Sequence, residues 1–289
     1  MMMDTNTVYL NGEFMPMTQA KISPLDRGFL FGDGIYEVVP SHNGKLIGFS
    51  LHMERMQKGL DSIGIKLSKS VDEWRDIFET LIQKNAAESV AVYLHVSRGA
   101  DVKRFHAYPD NVSPTIFAFA FEIAPATVAD RKFVKTFKVT STEDLRWKRC
   151  QIKSTSLLGN VMHLQQGIDA GVNEILLYNS ANELTEAAAC NVFIVKDGKV
   201  FTPPLDNQIL AGVTRNMVLD ILRTHSDLEV QERVISMEEV RQADEVWLTS
   251  SSKEIAPVVE LDGEHIGDGQ VGAVWEFSQK LYSANKFSY

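Results

Sequence analysis

Apolar and polar positions along this chain follow two periods. TVYLNGEF, residues 7–14, and GIYEVVPSHNGKLIGF, residues 34–49, are β-prone runs broken at Asn11-Gly12 and Asn43-Gly44. Asn-Gly between such runs predicts tight hairpins. The period then becomes helical. Leu51, Met53, Met56, Leu60 and Ile63 lie near one stripe, and Trp74, Ile77, Phe78, Leu81 and Ile82 form a second. SVAVYLHVS, 89–97, and TIFAFAFEI, 115–123, read as buried strands. The small, polar stretch APATVADRK, 124–132, with Pro125, is the expected domain boundary.

Beyond it, KFVKTFKVTST predicts a strand. STSLLGNVMHLQQGIDAG, 154–171, predicts a helix with Ser154, Thr155 and Ser156 as N-cap candidates. Leu157, Val161, Leu164 and Ile168 would be its buried stripe and Gly171 its stop. NEILLYN and NVFIVKDGKV read as strands, the latter bending at Asp197-Gly198. VTRNMVLDILRTH and AVWEFSQKLYSAN read as helices, and LEVQERVI and EVWLTSSS contain strands. The pattern predicts an α+β protein with mixed sheets: a small domain over 1–124, a linker at 125–132 and a larger domain over 133–289.

Composition narrows the function classes. With 289 residues, 44% of them apolar, the chain can bury a large core. A net charge of -9 argues against a nucleic-acid partner or an anionic membrane surface. The two cysteines, Cys150 and Cys190, sit in no metal-binding spacing, so neither zinc nor a disulfide framework is expected, and a reducing cytoplasm is. MMMDTNTVYLNGEF has no basic-then-apolar leader pattern, and no apolar run approaches the ~18–20 residues of a membrane span.

Several residues invite a chemical reading. Lys153, in CQIKSTSLLGN, is expected at a helix start, where partial positive charge and burial both disfavour an ammonium. A neutral amine attacks carbonyls and forms Schiff bases. Glu186, in ELTEAAACNVFIV, is a carboxylate among small residues and suits a flat ring with a pyridine nitrogen. LAGVTRNM places Gly212 and Thr214 at a helix start, where backbone N–H groups receive phosphate, and the hydroxyls of LTSSSKE, 248–254, would add donors. Arg55 suits bidentate phosphate binding. Arg104 and His106, two apart in VKRFHAYP, point the same way in an extended loop and can clamp a carboxylate. Taken singly, each is more often a packed stem, a surface charge or a loop hydroxyl.

Together they occur in a recognisable order. The chain resembles the fold-type IV pyridoxal-phosphate enzymes, and among them the D-amino acid aminotransferases. The resemblance rests on DRGFLFGDGIYEVV, RGADVKRFHAYPDN, STEDLRWKRCQIKSTSLLGN, LTEAAACNVF, ILAGVTR and WLTSSSKEIAPV. It implies a small α+β domain followed by a larger pseudo-barrel domain, and pyridoxal 5'-phosphate as cofactor. It further implies that Lys153 is the Schiff-base lysine and proton shuttle, and that Glu186 pairs with the ring nitrogen. Arg55, Val213, Thr214 and Ser251 become the phosphate cup, and Leu210 the residue packed on the ring. Tyr36, Arg104 and His106 become the carboxylate trap, with the Arg104–His106 loop reaching a neighbouring subunit of a homodimer.

Two departures stand out. Serine-rich relatives have hydroxyls where this chain has Ala187, Ala188, Ala189 and Cys190, and Phe105 is bulkier than the small residue expected there. The implied activity is ping-pong transfer of an amino group between D-amino acids and 2-oxo acids. Branched-chain L-amino acid aminotransferase and aminodeoxychorismate lyase are the alternatives on the same frame, with activity on simple (R)-amines as a side reaction. A non-enzymatic cofactor-binding protein would require a broken residue set.

Overall fold

The computed structural model describes residues 6–85 and 87–289. The first five residues of the segment read as leaderless lie outside the described residues. The chain divides into two compact units, Met1–Pro125 with Ile152–Leu157, and Ala126–Gln151 with Leu158–Tyr289. Residues 152–157, which the sequence reading assigned to the 133–289 domain, therefore belong with the first unit.

The first unit runs β1 (Thr7–Leu10), β2 (Glu13–Pro16), α1 (Arg27–Phe31), β3 (Gly34–His42), β4 (Lys45–Leu46), α2 (Phe49–Ser62), α3 (Val71–Asn85), β5 (Ser89–Ser97) and β6 (Thr115–Glu122). Its six strands form an antiparallel sheet in the order β2-β1-β6-β5-β3-β4. Both Asn-Gly turns adopt positive φ, Asn11 at 49° and Asn43 at 51°, as tight hairpins require. α3 buries Trp74, Ile77, Phe78, Leu81 and Ile82 against the sheet, as its period predicts. Full burial of such side chains stabilises by about 1.5–3 kcal/mol each.

The strands 89–97 and 115–123 differ from their reading as fully buried. They are antiparallel, and the aromatic side chains of Tyr93, Phe117, Phe119 and Phe121 stand half-exposed on the face away from α2 and α3. An antiparallel sheet needs cover on only one face.

The second unit runs β7 (Phe137–Glu143), α4 (Leu158–Asp169), β8 (Glu174–Tyr178), β9 (Leu184–Ala187), β10 (Asn191–Lys196), β11 (Lys199–Thr202), α5 (Val213–His225), β12 (Val230–Glu232), α6 (Met237–Arg241), β13 (Glu245–Ser250), β14 (Glu254–Leu261), β15 (Glu264–His265) and α7 (Ala273–Asn285). These strands make a nine-stranded mixed sheet, β12-β11-β10-β13-β14-β7-β8-β9, with β15 beside β14. Its core includes Val139, Leu176, Val192, Ile194, Val246 and Leu248.

The helix predicted over 154–171 is shorter than expected and differently oriented. α4 begins at Leu158 and buries His163 and Gly167, while Val161 and Ile168 are exposed. The reason is close approach. A Cβ at Gly167 would lie 3.3 Å from the Glu174 carbonyl oxygen, so the glycine side of the helix faces β8. Among the described residues, no helix is long and apolar enough to cross a membrane.

Candidate active site

Residues 152–155 run along the open edge of β3. β4 covers only the far end of that strand, at Ser41 and His42. The backbone groups of Gly34 and Tyr36 therefore need other partners. Tyr36 N–H donates to the Lys153 carbonyl at 3.0 Å, and Thr155 N–H donates to the Gly34 carbonyl at 3.0 Å. This pairing brings Lys153 to Tyr36, with Nζ 4.2 Å from the ring centre.

The expected helix start at Lys153 is overturned. α4 opens five residues later, at Leu158, so Lys153 is not in its first turn. The Thr155 and Ser156 hydroxyls donate to the Gly32 carbonyl, at 3.0 and 3.1 Å, and Ser154 bridges to Ile35, so none of the three caps the helix.

Successive β3 side chains alternate, so Glu37 faces α2 where Tyr36 does not. Glu37 is fully buried and accepts from Arg55 Nε at 2.8 Å and Nη2 at 2.6 Å, and it shares a 2.7 Å hydrogen bond with His52 Nδ1. Burial alone would raise the Glu37 pKa, but Arg55 and then His52 outweigh it and hold the carboxyl far below its usual range. Burial lowers His52, and Glu37 only partly offsets this. The depressed Glu37 contributes stability above the ordinary carboxylate range, and that stability is lost as the pH falls through and below it. Arg55 thus stands in a fixed orientation on α2.

In the second unit, Glu186 lies within β9 and is 5% exposed. Arg146 Nη1 donates to Oε1 at 2.6 Å, while Leu210 N–H at 3.0 Å and Asn191 Nδ2 at 3.2 Å donate to Oε2. Arg146 is itself held by both oxygens of Asp144, at 3.0 and 2.7 Å. Burial pushes Glu186 up to about 7 against the pull of Arg146 and the Leu210 N–H. Burial likewise opposes the charge of Arg146, but Asp144 and Glu186 overcome it. The result is a dry carboxylate that titrates near neutrality.

Next to it, Gly212 leads into α5. Val213 and Thr214 are buried in its first turn, where N–H groups have no intrahelical acceptor. The Asn191 amide also donates to the Leu210 carbonyl at 2.9 Å, tying this entry to Glu186. Ser251 lies in the turn after β13.

The chain as a whole matches a known family. The profile of Amino-transferase class IV matches residues 34–261. The D-alanine aminotransferase of Staphylococcus haemolyticus is 36% identical over 271 residues, 92% of this chain and 93% of its own. That of Listeria monocytogenes is 34% identical over 269 residues, 92% of this chain and 91% of its own. The chain belongs to the class IV aminotransferases. Among solved structures, the branched-chain amino acid aminotransferase of Escherichia coli has a TM-score of 0.89 at 23% identity, covering 98% of this chain and 95% of that one. The branched-chain aminotransferase of Thermoproteus uzoniensis has a TM-score of 0.85 at 21% identity, with 98% and 95% covered. This aminotransferase therefore has the fold-type IV architecture.

In the aminotransferase, the loop carrying Arg104 and His106 is anchored through its backbone. Arg27, 2% exposed, donates to the carbonyls of Phe105 at 2.6 Å and His106 at 3.1 Å. Asp33 holds Arg27 at 2.7 Å and Arg98 at 2.8 Å, and the Arg98 guanidinium lies 3.5 Å from the Tyr108 ring centre. The side chains of Arg104 and His106 are exposed and both lie against Phe31, at 5.3 Å each, on a loop that turns rather than running extended, with the Phe105 N–H donating to the Lys103 carbonyl at 3.1 Å. Phe105 is 64% exposed.

Sequence reading missed Arg146, Asn191, Glu37, His52 and Arg27. The Asp144–Arg146 spacing was the available signal, because a buried carboxylate at 186 demands a cation. At the hydroxyl-poor run, Ala187, Ala188 and Cys190 are buried. The Cys190 thiol, pushed up to about 12 by burial, meets Lys253 Nζ at 3.5 Å and Glu174 at 3.6 Å.

Gly212 offers a direct test of the Asn191 link. Its φ is -64°, which any residue adopts, yet a Cβ would overlap Asn191 Oδ1. Gly212→Ala is expected to lose about 1–3 kcal/mol of stability through overpacking. Urea unfolding of the variant checks this, and unchanged stability would mean that Asn191 is not wedged there.

Proposed function

We propose that this enzyme moves amino groups between D-amino acids and 2-oxo acids, as a cytoplasmic homodimer that works with pyridoxal 5'-phosphate. The observation that carries the reading is the paired presentation of Arg104 and His106 on a backbone-anchored loop, in a chain whose curated relatives include D-alanine aminotransferases. A guanidinium beside an imidazole suits a substrate carboxylate. Exposure of both side chains in one chain fits their use by a neighbouring subunit.

The residues present fit the cofactor chemically. It carries an aldehyde, a pyridine nitrogen and a phosphate. Lys153 would hold the first, Glu186 the second, and Arg55, Val213, Thr214 and Ser251 the third, with Leu210 packed on the ring. When bound, the cofactor supplies a ring that accepts the charge left when the substrate Cα loses its proton.

The chain does the rest. The Lys153 amine would carry the proton between the substrate Cα and the cofactor, taking it from Cα in one half-reaction and giving it to Cα in the other. Work of this kind contributes about 10²–10⁴-fold in rate. Glu186, kept in place by Arg146, Asn191 and the Leu210 N–H, holds the ring-nitrogen proton. Tyr36, Arg104 and His106 bind the carboxylate and so decide which hand of substrate presents its Cα proton to Lys153.

A panel of D- and L-amino acids with a 2-oxo acid acceptor, scored for product chirality, tests the reading. D-products support it. L-products alone, or pyruvate release without an acceptor, would replace it with the branched-chain aminotransferase or lyase reading.

Arg27 supplies a further prediction. Arg27→Met removes the donors to the carbonyls of Phe105 and His106 while Arg98 still pairs with Asp33. KM for amino and 2-oxo acids should rise about tenfold, roughly one charge-assisted hydrogen bond. KM for a simple amine, which has no carboxylate, should be unchanged when the 2-oxo acid is saturating. Steady-state kinetics on both substrate types distinguishes a loosened trap from general damage.

A further inference from the structure

The inner side of α4 meets the surroundings of Glu186 at three points. A Cβ at Gly159 would lie 3.1 Å from Arg146 Cγ, so the helix lies directly on the arginine stem. Asn160 Nδ2 donates to the Ala188 carbonyl at 2.8 Å, two residues past Glu186. One turn after Gly159, His163 Nε2 accepts from the Leu145 N–H at 3.2 Å, one residue before Arg146. α4 therefore ties the segment that carries the cation and the segment that carries the carboxylate to one helix face.

His163 is 6% exposed, and burial holds its imidazole below the usual range against the pull of Asp144. A neutral ring keeps a lone pair on Nε2, which an imidazolium lacks. The Leu145 side chain is 77% exposed and packs little. Its backbone N–H, and not its side chain, thus fixes the residue between Asp144 and Arg146. From there Arg146 Nη1 reaches Glu186 Oε1 at 2.6 Å. A charge-assisted bond of that length weakens with a small shift of its donor.

We propose that His163 is a positioning residue for Glu186: by accepting from the Leu145 N–H it keeps the Arg146 guanidinium seated on that carboxylate. The inference rests on the reading of Glu186 as the partner of the cofactor's ring nitrogen. No covalent step is involved, and His163 itself touches no reacting atom.

The test is equilibrium affinity, read by protein fluorescence, for pyridoxal 5'-phosphate and for its analogue with a ring C–H in place of the ring nitrogen. His163→Leu removes the acceptor. It should weaken pyridoxal 5'-phosphate about fivefold, the worth of one net hydrogen bond, and leave the analogue unchanged. His163→Gln, whose carbonyl oxygen can accept from Leu145, should restore most of the affinity. His163→Asn, polar but too short to reach, should behave as leucine does and serves if leucine is not tolerated. On an Arg146→Met background, His163→Leu should have no further effect, since the two residues act as one. Equal weakening of both ligands, or of neither, would overturn the proposal and reduce His163 to packing. Glu186→Gln is the reference. If it fails to separate the two ligands, the ring-nitrogen reading fails and takes the His163 role with it. If it separates them and His163→Leu does not, the reading stands and only the positioning role falls. Thermal unfolding of each variant confirms that the folded state is being compared.

Discussion

Lys153→Ala is expected to abolish transamination and to leave the first unit folded. Among the described residues the side chain beyond Cβ makes no hydrogen bond that holds the fold, and residues 152–155 are held on β3 through backbone groups of Tyr36 and Gly34. The methyl group of alanine leaves that pairing intact. What disappears is the amine beside the Tyr36 ring, and with it, on the proposed reading, both the attachment point for the cofactor aldehyde and the base for the substrate Cα proton. Loss of a positioned base alone costs about 10²–10⁴ in rate, and loss of the covalent anchor adds to it. Single-turnover measurements with a D-amino acid check the rate. Borohydride reduction of the loaded wild-type enzyme followed by peptide mass mapping checks the attachment. A pyridoxyl group on another lysine, or full turnover by the variant, would remove Lys153 from its role.

Arg146→Met has the second large effect, and it falls on stability as well as on chemistry. Arg146 is nearly fully buried between Asp144 and Glu186, and both carboxylates are buried with it. Removing one partner of such a group strands the others and costs about 3–5 kcal/mol. The sign with pH follows from the charges. Glu186 already titrates near neutrality, and without Arg146 its carboxyl is driven higher still, while Asp144 loses the partner that keeps it low. A carboxyl raised in the folded state costs stability above its unfolded value and costs nothing once protonated. The deficit of the variant should therefore be largest above neutral pH and shrink as the pH is lowered. Urea midpoints for both proteins across that range measure it. A deficit independent of pH would mean that packing of the arginine stem, and not charge pairing, is what Arg146 provides.

The same pair shows why some of the site was legible in the sequence and some was not. Glu186 was recognisable only through the set of motif blocks, since a lone glutamate before alanines is more often a solvated turn residue. Its partner Arg146 lies 40 positions earlier, and the two meet only because β7 and β8 pair in parallel and β9 folds back on β8. Lys153 was recognisable by its block of neighbours, yet its surroundings were misread. The Ser154–Ser156 cluster has the composition of a helix cap, and the free edge of β3 captures its backbone and hydroxyls before the helix begins. The stripe of α4 was misassigned for a related reason: apolar spacing alone does not reveal that a glycine, not a leucine, will face the neighbouring strand.

The sequence by itself determined what is local. The Asn-Gly hairpins, the stripe of α3, the start of α5 at Gly212 and the order of the motif blocks are set by backbone preferences and by a period that neighbouring residues share. Tertiary structure alone decided which distant groups share one buried space: Arg146 with Glu186, Arg55 with Glu37, and Arg27 with the carbonyls of the Arg104–His106 loop. Burial raises the cost of an unpartnered charge or hydroxyl by kilocalories, so these pairings are strongly selected by the fold, but the partner is chosen by sheet register and helix placement, which no short window of residues contains.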